Sequence, residues 1–194
     1  MQINDWNDRY LLQAFWTLNL RRYILSKINA QAGQQVLDVG SGTGALFRDF
    51  QNDGFRISGI DLDLERCEFS KPLNHTGLVT CANASAMPYK DAAYDLTFCH
   101  YFLLWTKKPQ EMLSEFCRVT KPGGYVIAFS EPDYQSRIDY PEIFQQIGQL
   151  QNRSLKFQGV DLAMGRKLGA LFRESGLHDV RVGLLAGEWK EPTL

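Results

Sequence analysis

The chain has 194 residues, 44% of them hydrophobic and 22% charged, with a formal net charge of −1. That length suits one domain with a sizeable core, and the dispersed Lys and Arg residues give no field that draws a protein to nucleic acid. Four separated cysteines without a C-x-x-C pair argue against a zinc cluster or a disulfide frame and for a reducing, cytoplasmic setting, and no metal site is expected. The opening MQINDWNDRY is too polar for a signal peptide, and no apolar run reaches membrane-spanning length.

From Arg9 to Ile28, apolar residues recur at helical spacing, and Phe15, Trp16 and Tyr23 are expected in the core. Trp6 and Tyr10 precede that periodic segment and are the candidates for a lid. Residues 1–30 are thus expected to form a helical cap on an α/β core of residues 31–194, in a single domain. The first strand is predicted at Gln35–Val39, followed by a helix from Gly44 to about Asn52, which Asp53-Gly54 ends. A second strand at Phe55–Ile60, a helix at Leu62–Ser70 and a third strand at Leu78–Ala82 come next. A fourth strand at Tyr94–Cys99 leads to a helix starting at Pro109, a position that proline tolerates. Lys121-Pro122-Gly123-Gly124 reads as a turn before a fifth strand, Tyr125–Ser130. Helices are predicted at about 141–155 and 161–175, and a sixth strand at Val180–Ala186. Alternating strands and helices, with early strands apolar on both faces, predict a doubly wound, mostly parallel sheet.

The densest signal is Val36-Leu37-Asp38-Val39-Gly40-Ser41-Gly42-Thr43-Gly44. Glycines at alternate positions let backbone turn sharply and approach a ligand. Asp38 at the end of a strand suits the ammonium of an amino acid, and it would repel a pyrophosphate by about 4 kcal/mol at 4 Å and a surface-like dielectric. Asp61 follows about twenty residues after the glycines, the spacing of an acid that accepts from ribose hydroxyls. Asp61 is equally suited to cap the helix behind it. Gly40, Gly42 and Ala45 also satisfy the weaker G-x-G-x-x-A pattern of nicotinamide dehydrogenases, which Asp38 and Gly44 disfavour.

Five segments in order resemble the class I S-adenosylmethionine-dependent methyltransferases: VLDVGSGTG, GIDLD (Gly59–Asp63), ANASAMPY (Ala82–Tyr89), YDLTFCH (Tyr94–His100) and RVTKPGGYVIAFSEP (Arg118–Pro132). The resemblance implies a Rossmann-like fold, S-adenosylmethionine as cofactor and methyl transfer, with a small-molecule substrate expected. A non-catalytic cofactor-binding module, or methylation of protein or RNA, is the alternative. It further implies cofactor contacts from Asp38, Gly40, Ser41, Gly42, Gly44 and Asp61, with Leu62 on an adenine face and Asn83 and Ala84 at the adenine edge. Asn83 stands where the family usually has an acid. His100 is expected near cofactor and substrate, and Glu131 and Tyr134 at the substrate lip; any of these three is a candidate base. His75 and His178 are expected in solvent. The family's sheet has a seventh, antiparallel strand, for which too little chain follows Ala186. That last strand is therefore expected to be absent or completed by a partner, which makes homodimerisation through the open edge an expectation.

Overall fold

The computed structural model describes residues 2–184. Its sheet has five parallel strands in the order β3-β2-β1-β4-β5: β1 (Gln35–Val39), β2 (Arg56–Asp61), β3 (Val79–Cys81), β4 (Tyr94–His100) and β5 (Thr120–Phe129). The chain winds outward from β1 to β3, then returns to place β4 on the other side of β1. The crevice at the carboxyl ends of β1 and β4 is therefore the switch point where such sheets bind ligands.

Alternation along the central strands sorts the two faces. Leu37, Val39 and Cys99 turn toward α5 (Pro109–Val119), where Leu113, Phe116 and Val119 are fully buried. Val36, Leu96 and Phe98 turn the other way, onto Phe47 and Phe50 of α3 (Phe47–Asn52). The Phe98 ring stacks on Phe50 at 4.7 Å. By the same alternation, Asp38 and His100 share this second face, which the amino-terminal helices cover.

Those helices are α1 (Ile3–Trp16) and α2 (Leu18–Lys27), broken at Thr17. Their buried side is Ala14, Thr17, Arg21 and Leu25, one residue per turn. Phe15, Trp16 and Tyr23, expected in the core, are 69%, 47% and 50% exposed. The cap is seated by Ala14, a polar pair and Leu25, while Phe15, Trp16 and Tyr23 face outward.

Three other expectations change. Gly40, Gly42 and Gly44 all have positive φ (75°, 53° and 75°), so helix cannot begin at Gly44, and α3 starts three residues later. Lys121–Gly124 do not precede β5 as a turn. They lie within it, with an irregularity opposite Tyr94–Leu96, and Lys121 pairs with Asp95 at 2.7 Å. Val180–Leu184 form no strand, while residues 185 and 186 of the predicted sixth strand, and the edge beyond them, lie outside the described residues. The remaining helices are α4 (Leu64–Ser70), α6 (Glu142–Phe157) and α7 (Met164–Glu174). Among the described residues no helix is long and apolar enough to cross a membrane, no group of side chains could hold a metal ion, and all four cysteines are free.

Candidate active site

The turn after β1 is held to β2. The Gly40 and Ser41 N–H groups both donate to the Ile60 carbonyl, at 2.8 and 3.0 Å. The Gly42 N–H donates to Asp61 Oδ2 at 2.8 Å, and the Asp63 N–H donates to Asp61 Oδ1 at 3.0 Å. Asp61 thus fixes the glycine turn, and each oxygen keeps acceptor capacity for a further donor. Capping of α4 falls to Asp63, whose side chain accepts from the Arg66 N–H.

Asp38 is 2% exposed. Burial and the nearby Asp61 push its carboxyl up to about 8, while Arg21 pulls it back. The Ser41 and Thr43 hydroxyls are buried in the same turn with no hydrogen-bond partner among the described residues. A buried acid and two unsatisfied hydroxyls are costly to a fold that makes no use of them. Together they suit a ligand end that carries both an ammonium and a carboxylate.

Aromatic rings cover the turn. A Cβ on Gly40 would lie 2.3 Å from the Phe102 ring, and one on Gly42 would lie 3.2 Å from the Tyr10 ring. Tyr10 stands 5.7 Å from Trp6, and the Arg66 guanidinium lies 5.8 Å from both rings. Tyr10 of α1 therefore lies over the glycine turn, with Trp6 beside it and Arg66 of α4 near both rings. A recess of about 300 Å³ lies elsewhere, between Arg22, Leu25, Asp53 and Phe55.

Leu62 is exposed at the rim, at the end of β2. Asn83 follows β3; its Oδ1 accepts from the Ser85 N–H at 3.0 Å, and Ala84 beside it is buried. Arg118 holds the following loop by donating to the Met87 and Tyr89 carbonyls.

The three candidate bases fare differently from expectation. Glu131 is buried, and it does not stand at a substrate lip. Its Oε1 accepts from the Phe102 and Leu103 N–H groups at 2.8 and 2.9 Å, and Oε2 accepts from Leu104 N–H at 3.1 Å. It anchors the turn after β4 that carries Phe102, because three amides without a strand partner, two of them buried, need an acceptor. Tyr101 and Ser130, on either side of this knot, both take left-handed backbone (φ 53° and 58°). Tyr134 is half-buried beside Arg9 and Arg137, with burial holding its phenol above the usual value. His100 accepts or donates through Nε2 to Thr17 Oγ1 at 2.9 Å, and burial, aided by Arg21, lowers it to about 3. His75 and His178 are exposed, as expected.

The sequence reading missed Thr17 and Arg21. Arg21 is 2% exposed, donates to the Ala14 carbonyl and Thr17 Oγ1, and pairs with Asp49. The signal was there: Ala14, Thr17, Arg21 and Leu25 fall on one helical stripe, but a residue-by-residue reading assigns Arg and Thr to solvent.

A family model described as a methyltransferase domain matches residues 37–128. The chain is 30% identical over 120 residues to a demethylmenaquinone methyltransferase of Renibacterium salmoninarum, covering 61% of this chain and 51% of that one. It is 28% identical over 146 residues to a malonyl-[acyl-carrier protein] O-methyltransferase of Buchnera aphidicola, covering 74% and 59%. The chain thus spans between half and three-fifths of the length of these curated relatives. An S-adenosylmethionine-dependent methyltransferase from Aquifex aeolicus shares the fold, with a TM-score of 0.62 at 19% identity over 82% of this chain and 80% of that one. The motif order, the switch-point crevice and these likenesses agree: residues 37–128 match a methyltransferase domain, and the chain is similar in sequence and fold to the class I S-adenosylmethionine-dependent methyltransferases.

Proposed function

We propose that the protein transfers the methyl group of S-adenosylmethionine to a small-molecule acceptor. The observation that carries this reading is the buried Asp38 beside the unsatisfied Ser41 and Thr43 hydroxyls on the glycine turn. In this reading Asp38 binds the ammonium of the donor, and the amides of residues 40–44 with those hydroxyls serve its carboxylate. Asp61 accepts from the ribose hydroxyls with the lone pairs that Gly42 and Asp63 leave free. Leu62 lies on an adenine face, and Asn83 and Ala84 meet its edge. When bound, S-adenosylmethionine supplies an electrophilic methyl on a sulfonium. The protein's share is to orient the acceptor in line and to exclude water, which is work for Tyr10, Phe102 and Tyr134.

None of the three candidate bases is built for the task. Glu131 is bound by three amides, Tyr134 is held protonated, and His100 is too weak a base at neutral pH. An acceptor that arrives with a free lone pair fits this site. The malonyl relative's name points to one such group, a carboxylate. The test is formation of S-adenosylhomocysteine with two acceptor sets, malonyl thioesters and quinols. Turnover with the carboxylate set is the expected result; donor binding without turnover on either set would make the protein a donor-binding module.

A proton accompanies donor binding. At pH 7 the Asp38 carboxyl, pushed up to about 8, is mostly protonated in the free protein. An ammonium beside it favours the anion, so binding releases close to one proton. Calorimetry in buffers of different ionisation enthalpy reads this release directly, and Asp38→Asn is expected to abolish it.

A further inference from the structure

His100 hangs on a chain of hydrogen bonds that begins at a buried cation. Arg21 Nη1 donates to Thr17 Oγ1 at 2.6 Å, and that oxygen lies 2.9 Å from His100 Nε2. A hydroxyl has one proton and two lone pairs. The guanidinium takes one lone pair, so the direction of the last bond depends on where the Thr17 proton goes. Its choices are the Gln13 carbonyl at 3.1 Å, the Ala14 carbonyl at 3.2 Å and the imidazole nitrogen at 2.9 Å. The Ala14 carbonyl already accepts from Arg21 Nη1 at 2.7 Å. The imidazole nitrogen is nearer than either carbonyl, and only that direction lets the bonds from guanidinium to hydroxyl to ring polarise one another along one line. The opposite direction would aim an Nε2–H at an oxygen whose neighbour is a cation. Nδ1 makes no hydrogen bond among the described residues. The ring stands edge-on to Tyr101, with centroids 4.6 Å apart.

We infer that Thr17 and Arg21 position His100 as a neutral ring with its proton on Nδ1, so that it serves as a fixed hydrogen-bond donor to an acceptor carrying an oxyanion, and not as the base. Thr17 and Arg21 are positioning residues that act through the ring. The consequence for specificity is that the acceptor offers a carboxylate or similar oxygen to β4's carboxyl end. This rests on the methyl-transfer reading for its substrate half, while the tautomer stands or falls by itself.

The test begins with long-range ¹H–¹⁵N correlation on the labelled protein. It holds three histidines, and His100 is assigned by the signal lost in His100→Gln. The expected pattern is a protonated Nδ1 and a bare Nε2, unchanged from pH 5 to 8. Thr17→Ser is expected to retain that pattern and Thr17→Val to lose it. A bare Nδ1, a titrating ring, or indifference to Thr17→Val would overturn the inference, whatever the outcome of the turnover assays. For any acceptor that is turned over, His100→Asn keeps an amide donor near the Nδ1 position and His100→Gln does not. The inference then predicts that kcat/KM falls by about tenfold or more in the glutamine variant and is largely retained in the asparagine variant. Equal losses in both would count against the donor role.

Discussion

Asp38→Asn is expected to weaken binding of S-adenosylhomocysteine by about 100-fold or more, the worth of one charge-assisted bond in a buried site. The same substitution leaves the fold intact and, at high pH, strengthens it. Asp38 sits above its unfolded value of 3.8, at about 8. Its contribution to stability is therefore fully present below pH 4 and is lost as pH rises through 8. A neutral isostere escapes that loss, so the variant's Tm should nearly match wild type at pH 4 and clearly exceed it at pH 9. Binding and stability then move in opposite directions, which a general unfolding effect cannot produce. Calorimetry and thermal melts at the two pH values check it; equal donor affinity in both proteins would remove Asp38 from the site.

Glu131→Ala is expected to be the most destabilising of the substitutions considered. It strands the amides of Phe102, Leu103 and Leu104, the last two of them on buried residues. A cost of about 3 kcal/mol follows from leaving several buried donors unpaired, or roughly 6–12 °C in Tm for a chain of this size. Glu131→Gln should cost less. One amide oxygen can still accept from Phe102 and Leu103, and only Leu104 then faces an opposing N–H₂. Because the loosened turn carries the Phe102 ring off Gly40, donor affinity should fall in proportion to the lost stability across the pair. A thermal shift below about 2 °C for the alanine variant would show that water or another group satisfies those amides.

The parts of the molecule written in local chemistry were legible in the sequence. Alternating apolar strands, alternate glycines and acids at strand ends follow from short-range spacing, and β1, β4 and the glycine turn lie where that spacing puts them. What was hidden depends on which face of an element meets another. Glu131 looks like a loop acid until the turn after β4 is seen to lack an acceptor. Arg21 looks solvated until Asp49 and Thr17 are brought to it. Phe15 and Tyr23 look like core residues because their periodicity is right, yet the cap packs through its smaller and more polar stripe. The late start of α3 was implicit in the three glycines: positive φ at each one excludes the helix that the apolar pattern suggested.

Everything proposed for catalysis depends on how a sulfonium donor would lie across β1 and β2. A crystal structure of the protein with S-adenosylhomocysteine tests this most directly. The prediction is that the ligand's ammonium meets Asp38 and its ribose hydroxyls meet Asp61, with Tyr10 lifted from Gly42. Ligand density away from the glycine turn, or a ribose that leaves Asp61 bonded to backbone alone, would contradict it.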